Sequence, residues 1–190
     1  MRLAQVAAGA LVAAAVLAGC SSKEPANDTL PSAAPTSAAP SETLPPLGPP
    51  DLPMPAEARE QTPAGAEAFL RYYMAIYSQA QASLDSTYMD QLSQDCTTCD
   101  RLIANMREDA HSQREYEGGE VNVMSVSTPF ITGSKAEIAF SMEQSALKVR
   151  DANGVEVGEL SAPAATLQCG AVATWSATET TWVLSQWDVN

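Results

Sequence analysis

The residues with the clearest chemical potential are Cys96-Thr97-Thr98-Cys99, two thiols three positions apart. That spacing suits thiol–disulfide exchange, because a helix starting at the first cysteine lowers its pKa through the helix dipole. Asp95 reads as the N-cap of such a helix, which would put Cys96 at the first helical position. Against this, Asp95 and Asp100 flank the pair with negative charge and oppose a thiolate. The strand–helix–strand setting of a redox C-x-x-C is also missing, since helical pattern precedes the motif and strand pattern follows it. The pair therefore reads as a structural disulfide, with a thiol–disulfide oxidoreductase as the alternative. Cys169 leaves a second connectivity open. Bonded to Cys96 or Cys99, it would close a loop of about 70 residues and contribute about 4 kcal/mol on the chain-entropy model, more than the short loop can. Motif habit favours the short link, and that is the expectation.

No other constellation reads as catalytic. A zinc site would need a second C-x-x-C or an H-x-H, and neither is present. His111, the single histidine, follows Glu108 and Asp109 on the polar side of a helix and reads as solvated rather than as a general base. No serine stands in a nucleophile elbow, and Gly118-Gly119 does not open a helix as a phosphate loop must. No catalytic residue, metal ligand or cofactor motif is assigned. The charge balance, 10 Lys+Arg against 23 Asp+Glu for a net of −13, excludes a nucleic-acid partner and a polybasic grip on anionic lipid.

The elements that must position any site divide the chain in two. From Thr62, an N-cap followed by Pro63 at the first helical position, Phe69, Tyr73, Ile76 and Ala80 recur at helical spacing to about Ser83. Leu70, Met74 and Tyr77 widen that stripe, so one broad face is buried. A short turn over Ser86 to Leu92 comes next. A second helix runs from Asp95 to about Arg114, with Leu102, Ile103, Met106 and Ala110 inward. Glu117-Gly118-Gly119-Glu120 ends the helical half.

Strands are predicted from Val121 to Thr128 and from Lys135 to Gln144. In the second, Ala136, Ile138, Phe140 and Met142 alternate with polar neighbours. Beyond Ser145 the apolar parity flips to Leu147 and Val149, which requires a bulge or a sharp bend. Asp151-Ala152-Asn153-Gly154 reads as a hairpin turn returning through Val155 and Val157. Leu167 to Trp175 and Thr181 to Val189 read as a last hairpin. Helices followed by long antiparallel strands make an α+β domain.

Upstream of Glu57 the composition changes. Ten of the thirteen prolines lie between Pro25 and Pro55, mixed with Ala, Ser and Thr. Such a segment is expected to be a disordered, polyproline-like spacer that reaches roughly 110 Å when extended. Before it, Met1-Arg2 and the apolar run Leu3 to Leu17 lead into Leu17-Ala18-Gly19-Cys20. This segment is a secretory signal ending in a cysteine, and it resembles the lipobox of bacterial lipoproteins. The resemblance implies removal of residues 1–19, diacylglyceryl lipidation of Cys20 and tethering to the extracytoplasmic face of the cell membrane, with residues 20–56 as the spacer and 57–190 as the domain. Acylation of the new N-terminus would make the binding effectively permanent.

The order of elements resembles the NTF2-like (SnoaL-like) cone, in which helices pack on a strongly curved antiparallel sheet and leave a pocket. More closely, the chain resembles actinobacterial lipoproteins of unknown function. The match rests on the lipobox, the spacer, Thr62-Pro63-Ala64-Gly65-Ala66-Glu67-Ala68-Phe69-Leu70-Arg71-Tyr72-Tyr73, the Asp95-Cys96-Thr97-Thr98-Cys99 run and the Gly118-Gly119 break. The implied pocket would be lined by Phe69, Tyr72, Tyr73 and Tyr77 of the first helix, with Phe140 and Trp175 of the sheet. A non-catalytic accessory domain follows, one that binds a small apolar ligand or a cell-envelope protein. A pocket enzyme would instead need a tyrosine and a carboxylate within hydrogen-bonding reach in the cavity, and no such pair is legible.

Overall fold

A computed structural model describes residues 46–190. The signal, Cys20 and most of the spacer lie outside the described residues. The first long helix, α1 (Pro63–Ser83), starts where expected: Gly65 N donates to Thr62 Oγ1 at 3.0 Å and Pro63 occupies the first turn. It ends at Leu84, which adopts a left-handed φ of 56°. Phe69, Leu70, Tyr73, Met74, Ile76, Tyr77 and Ala80 are all buried, so the predicted stripe is the core face. A short helix α2 (Thr87–Gln91) leads to α3 (Thr97–His111).

The start of α3 differs from the expectation by one residue. Cys96, not Asp95, is the N-cap, and its sulfur accepts from Cys99 N at 3.3 Å. Asp95 takes a left-handed φ of 57° before it. The inward face also differs: Asp109 is buried with Ile103 and Met106, whereas Ala110 is exposed.

Seven strands follow: β1 (Glu115–Gly118), β2 (Val121–Val126), β3 (Phe130–Thr132), β4 (Lys135–Gln144), β5 (Leu147–Arg150), β6 (Ala165–Ser176) and β7 (Thr181–Val189). The main antiparallel sheet has the order β2-β4-β6-β7, and β3 pairs the other half of the β4 edge that β2 pairs. Ala136, Ile138, Phe140 and Met142 of β4 face the helices, as their alternation requires. Bulges at Met124 of β2 and at Ser185 of β7, opposite Val172 and Ala173 of β6, bend their strands. The mixed α+β arrangement, with helices packed on an antiparallel sheet, is as expected from the element order.

Two corrections concern the strands. The parity flip after Ser145 is a complete break: β5 leaves the main sheet and pairs with β1, from Glu115 opposite Arg150 to Gly118 opposite Leu147. Glu115–Gly118 is thus a strand, although its polar, glycine-ended sequence reads as a stop. No strand returns through Val155 and Val157. What remains is an isolated bridge, Arg150 opposite Glu156, with Asp151 N bonded to Val155 O and Val157 N to Val149 O, and Val155 is exposed.

The fold also begins upstream of the compositional boundary at Glu57. Within the proline-rich stretch, Met54 N donates to Leu47 O, Tyr72 donates its hydroxyl to Leu52 O at 2.9 Å, and Gln79 Nε2 donates to Asp51 Oδ2. Met54 joins the core, and Thr181 donates its hydroxyl to the Met54 sulfur. Here the prolines shape a clasp laid along α1. Gly48 permits it: its φ is +86°, and a Cβ there would lie 1.7 Å from the Tyr72 hydroxyl oxygen. Gly48→Ala is therefore expected to lower stability by about 1–3 kcal/mol. Urea unfolding and limited proteolysis check it, with cleavage accelerating between residues 46 and 56.

Candidate functional site

At the end of α1 the core face turns polar. Tyr77 and Gln81, one helical turn apart, look into a cavity of about 360 Å³. From α3, Leu102, Asn105, Met106 and Asp109 line it at i, i+3, i+4 and i+7, one face of that helix. Arg114 and Tyr116 close one side, and Gln144 and Leu147 flank the β4–β5 break. Leu160 of the following loop and Glu108 complete the wall. The cavity exists because β5 leaves the main sheet at the level where α1 and α3 stop packing apolar side chains.

Two polar groups organise it. Asp109 accepts hydrogen bonds from Arg114 Nη1 on one carboxylate oxygen and from the Tyr116 hydroxyl on the other. Its side chain is only 8% exposed, so the Arg114 charge and both bonds are what make the buried carboxylate tolerable. Gln81, 3% exposed, donates through Nε2 to the Tyr77 hydroxyl at 2.5 Å, while its Oε1 is buried without a partner. Tyr77 in turn stands edge-on to Trp187, with ring centroids 5.2 Å apart. Gly119, at φ +83°, leaves room for the amide, because a Cβ there would lie 2.6 Å from Gln81 Oε1.

Burial pushes the Tyr77 phenol up, opposed by its bond to Gln81. Burial, then the bond to Asp109 and the charge of that carboxylate, push Tyr116 well up. Both phenols stay protonated at neutral pH. Tyr116 and Asp109 are the tyrosine–carboxylate pair that a pocket enzyme would require, and sequence reasoning did not name them. However, both carboxylate oxygens are taken and the charge is paired, so the arrangement offers no free base. It is built to hold a shape and to present hydrogen-bonding groups around an apolar floor.

Of the six residues expected to line the pocket, Tyr77 alone lines this cavity. Phe69 and Tyr73 are fully buried, 6.2 Å apart between ring centroids, in the core between α1 and the sheet. Tyr72 is spent on the clasp, and Phe140 packs inward from β4 opposite Cys169. Trp175 packs edge-on to Trp182 and borders a separate cleft of about 220 Å³ with Gln94, Asp95 and Thr174. The helical spacing placed these side chains inward correctly, but the inside of α1 is packed solid except at its last turns.

Cys96 and Cys99 are bonded to each other, so the long link through Cys169 is not formed; Cys169 is free and buried. Both bonded cysteines have no exposed surface, which leaves no sulfur for an incoming thiolate to attack. His111 is exposed at the end of α3. Among the described residues no group of three or more His, Cys, Asp or Glu side chains is placed to hold a metal ion, and no helix is long and apolar enough to cross a membrane.

The family model described as a family of unknown function (DUF6318) matches residues 41–188, and the chain belongs to that family. No curated protein matches the chain. Among solved structures, similar ones include the intermembrane-space region of the chloroplast protein ARC6 (15% identity, 64% of this chain and 93% of that one, TM-score 0.44). An NTF2-like superfamily protein from Salmonella enterica is 12% identical over 67% of this chain and 91% of its own, with a TM-score of 0.40. A protein from Catenulispora acidiphila, solved in complex with S-DNPA, is 11% identical over 66% and 92%, with a TM-score of 0.41.

Burial of the disulfide predicts that reductant leaves it intact in the folded chain and cleaves it on unfolding. Thiol titration with and without urea checks this. Replacing both cysteines by serine is expected to cost about 2 kcal/mol, as a four-residue loop allows. The raised phenols carry a pH dependence. Tyr72, Tyr77 and Tyr116 hold their protons more tightly folded than unfolded. Their contribution is therefore complete below the unfolded value of about 10. It is lost as pH climbs beyond that, through about 12 for Tyr72. Unfolding followed across this alkaline range should show stability falling, with a shallower fall in Tyr116→Phe.

Proposed function

We propose that this chain is a lipid-anchored, extracytoplasmic accessory protein of NTF2-like architecture, whose domain binds a small ligand without transforming it. The tether reading rests on the apolar leader and on Leu17-Ala18-Gly19-Cys20, with Cys20 as the lipidated residue. The binding reading rests on one observation above all: the cavity of about 360 Å³ between α1, α3, β1 and β5 sets hydrogen-bonding side chains, among them Asn105, Arg114 and Tyr116, around apolar Leu102, Met106, Leu147 and Leu160. The volume lies in the lower part of the range of small-molecule sites.

Native mass spectrometry of the full chain purified from its own membranes tests both parts. The ligand reading expects a discrete adduct that disappears in Asn105→Trp, an exposed helix position whose indole would fill the mouth. An adduct indifferent to that variant, or none at all, overturns it. The tether reading expects a diacylglyceryl-bearing N-terminal peptide beginning at Cys20, absent in Cys20→Ser; an unmodified cysteine overturns that.

A further inference from the structure

The donors left over on the cavity wall narrow what it takes, and the inference drawn from them rests on the ligand-binding reading above. Arg114 is held at both ends by one residue. Its backbone N donates to Asp109 O at 2.9 Å, and its Nη1 donates to a carboxylate oxygen of the same Asp109. The Tyr116 hydroxyl holds the other carboxylate oxygen, which keeps Asp109 from closing on the guanidinium with both. The ion pair therefore uses Nη1 alone, and the Nε–Nη2 edge has no partner among the described residues. That edge carries two parallel N–H groups, the shape that the two oxygens of a carboxylate fill. Arg114 lines the cavity half-buried, where such a bond is stronger than on an open surface. Asn105 and Gln144 add amide N–H groups to the same wall, and Leu102, Met106, Leu147 and Leu160 supply the apolar surface.

From this juxtaposition we infer that the cavity takes an amphipathic monocarboxylate. Its head docks on Nε and Nη2 of Arg114, and its apolar body lies against the leucines and Met106. Arg114 then stands between two carboxylates, a fixed one on Nη1 and the ligand's on the opposite edge, as its five donors allow. The field of a chain of net charge −13 opposes an anion, but that field is long-ranged and salt screens it beyond about 8–10 Å, whereas the bidentate contact acts at hydrogen-bond distance. Glu108 is exposed at the rim, where water screens it as well. Arg114 is the specificity-determining residue. A carboxamide offers its edge one oxygen in place of two, and an ammonium offers none while adding a like charge beside the guanidinium.

Three matched probes that differ only in the head test this on the full chain at neutral pH: 3-phenylpropanoate, 3-phenylpropanamide and 3-phenylpropylammonium, titrated by calorimetry. The carboxylate should bind at least about tenfold more tightly than the other two, as expected for a charge-assisted hydrogen bond. Arg114→Lys keeps a cation facing Asp109 but removes the two-pronged edge, so it should weaken the carboxylate about tenfold and leave the amide within about threefold. Asn105→Trp should abolish carboxylate binding. Thermal melting shows whether each variant is folded. Because Asn105 is exposed, the Trp variant carries the test even where Arg114→Lys fails to fold. Amide or ammonium binding as tightly as the carboxylate, and lost in Asn105→Trp, overturns the carboxylate class while leaving the cavity as a ligand site. A carboxylate preference that survives Arg114→Lys overturns the docking on Arg114. The class also falls if no probe binds but a native adduct is lost in Asn105→Trp. If no probe binds and no adduct exists, both readings fall.

Discussion

The packing of α1 into the inner face of the sheet is the interaction on which the rest of the structure depends. Eleven of its residues are buried, too many for a helix lying on a flat surface, so the sheet must wrap it. The bulges in β2 and β7 bend the strands that do so. With α1 enclosed, the start of the helix and one flank must be sealed by something other than the sheet. The 46–55 clasp does this through Tyr72, Gln79 and Met54. Trp182 and Arg59 help, Trp182 by donating to Glu60 O and Arg59 to Thr180 O and Glu179 O.

At the last turns of α1 the same packing runs out of apolar material. Gln81 stands where another aliphatic side chain would have completed the core. The sheet reacts at the same level, because the chain breaks after Gln144 and β5 turns away to pair with β1. Asp109 keeps the resulting gap open. It ties the end of α3 to the residues that follow, through Arg114 Nη1, the Tyr116 hydroxyl and its own carbonyl, which accepts from Arg114 N at 2.9 Å. A carboxylate held by two donors resists collapse of the wall, so the cavity is preformed rather than opened by its occupant.

The disulfide belongs to this scaffold. It closes the first turn of α3, and Cys96 also serves as that helix's N-cap. Just before it, Leu92 to Gln94 bond to Leu184 at the edge of β7, so α3 is fixed to the sheet at its start and to β1 at its end. Both fixings are needed if the face of α3 carrying Leu102, Asn105, Met106 and Asp109 is to stand at a constant distance from Gln81.

By itself the sequence determined the elements whose signals are local and repeated: α1 from its cap and its stripe, β4 from strict alternation, and the β6–β7 hairpin. It also marked the chemistry of the Cys96–Cys99 pair, because a short loop depends on neighbours along the chain. Only the tertiary structure decided the rest. Glu115–Gly118 has no apolar period and becomes a strand because β5, some thirty residues later, supplies its partner. The clasp has the composition of a free spacer, and it is ordered by hydroxyl and amide groups on α1. Asp109 and Gln81 are polar residues on helices, which in isolation read as solvated. They become the site because distant segments bury them, and burial is a property of the assembled fold that no local pattern encodes.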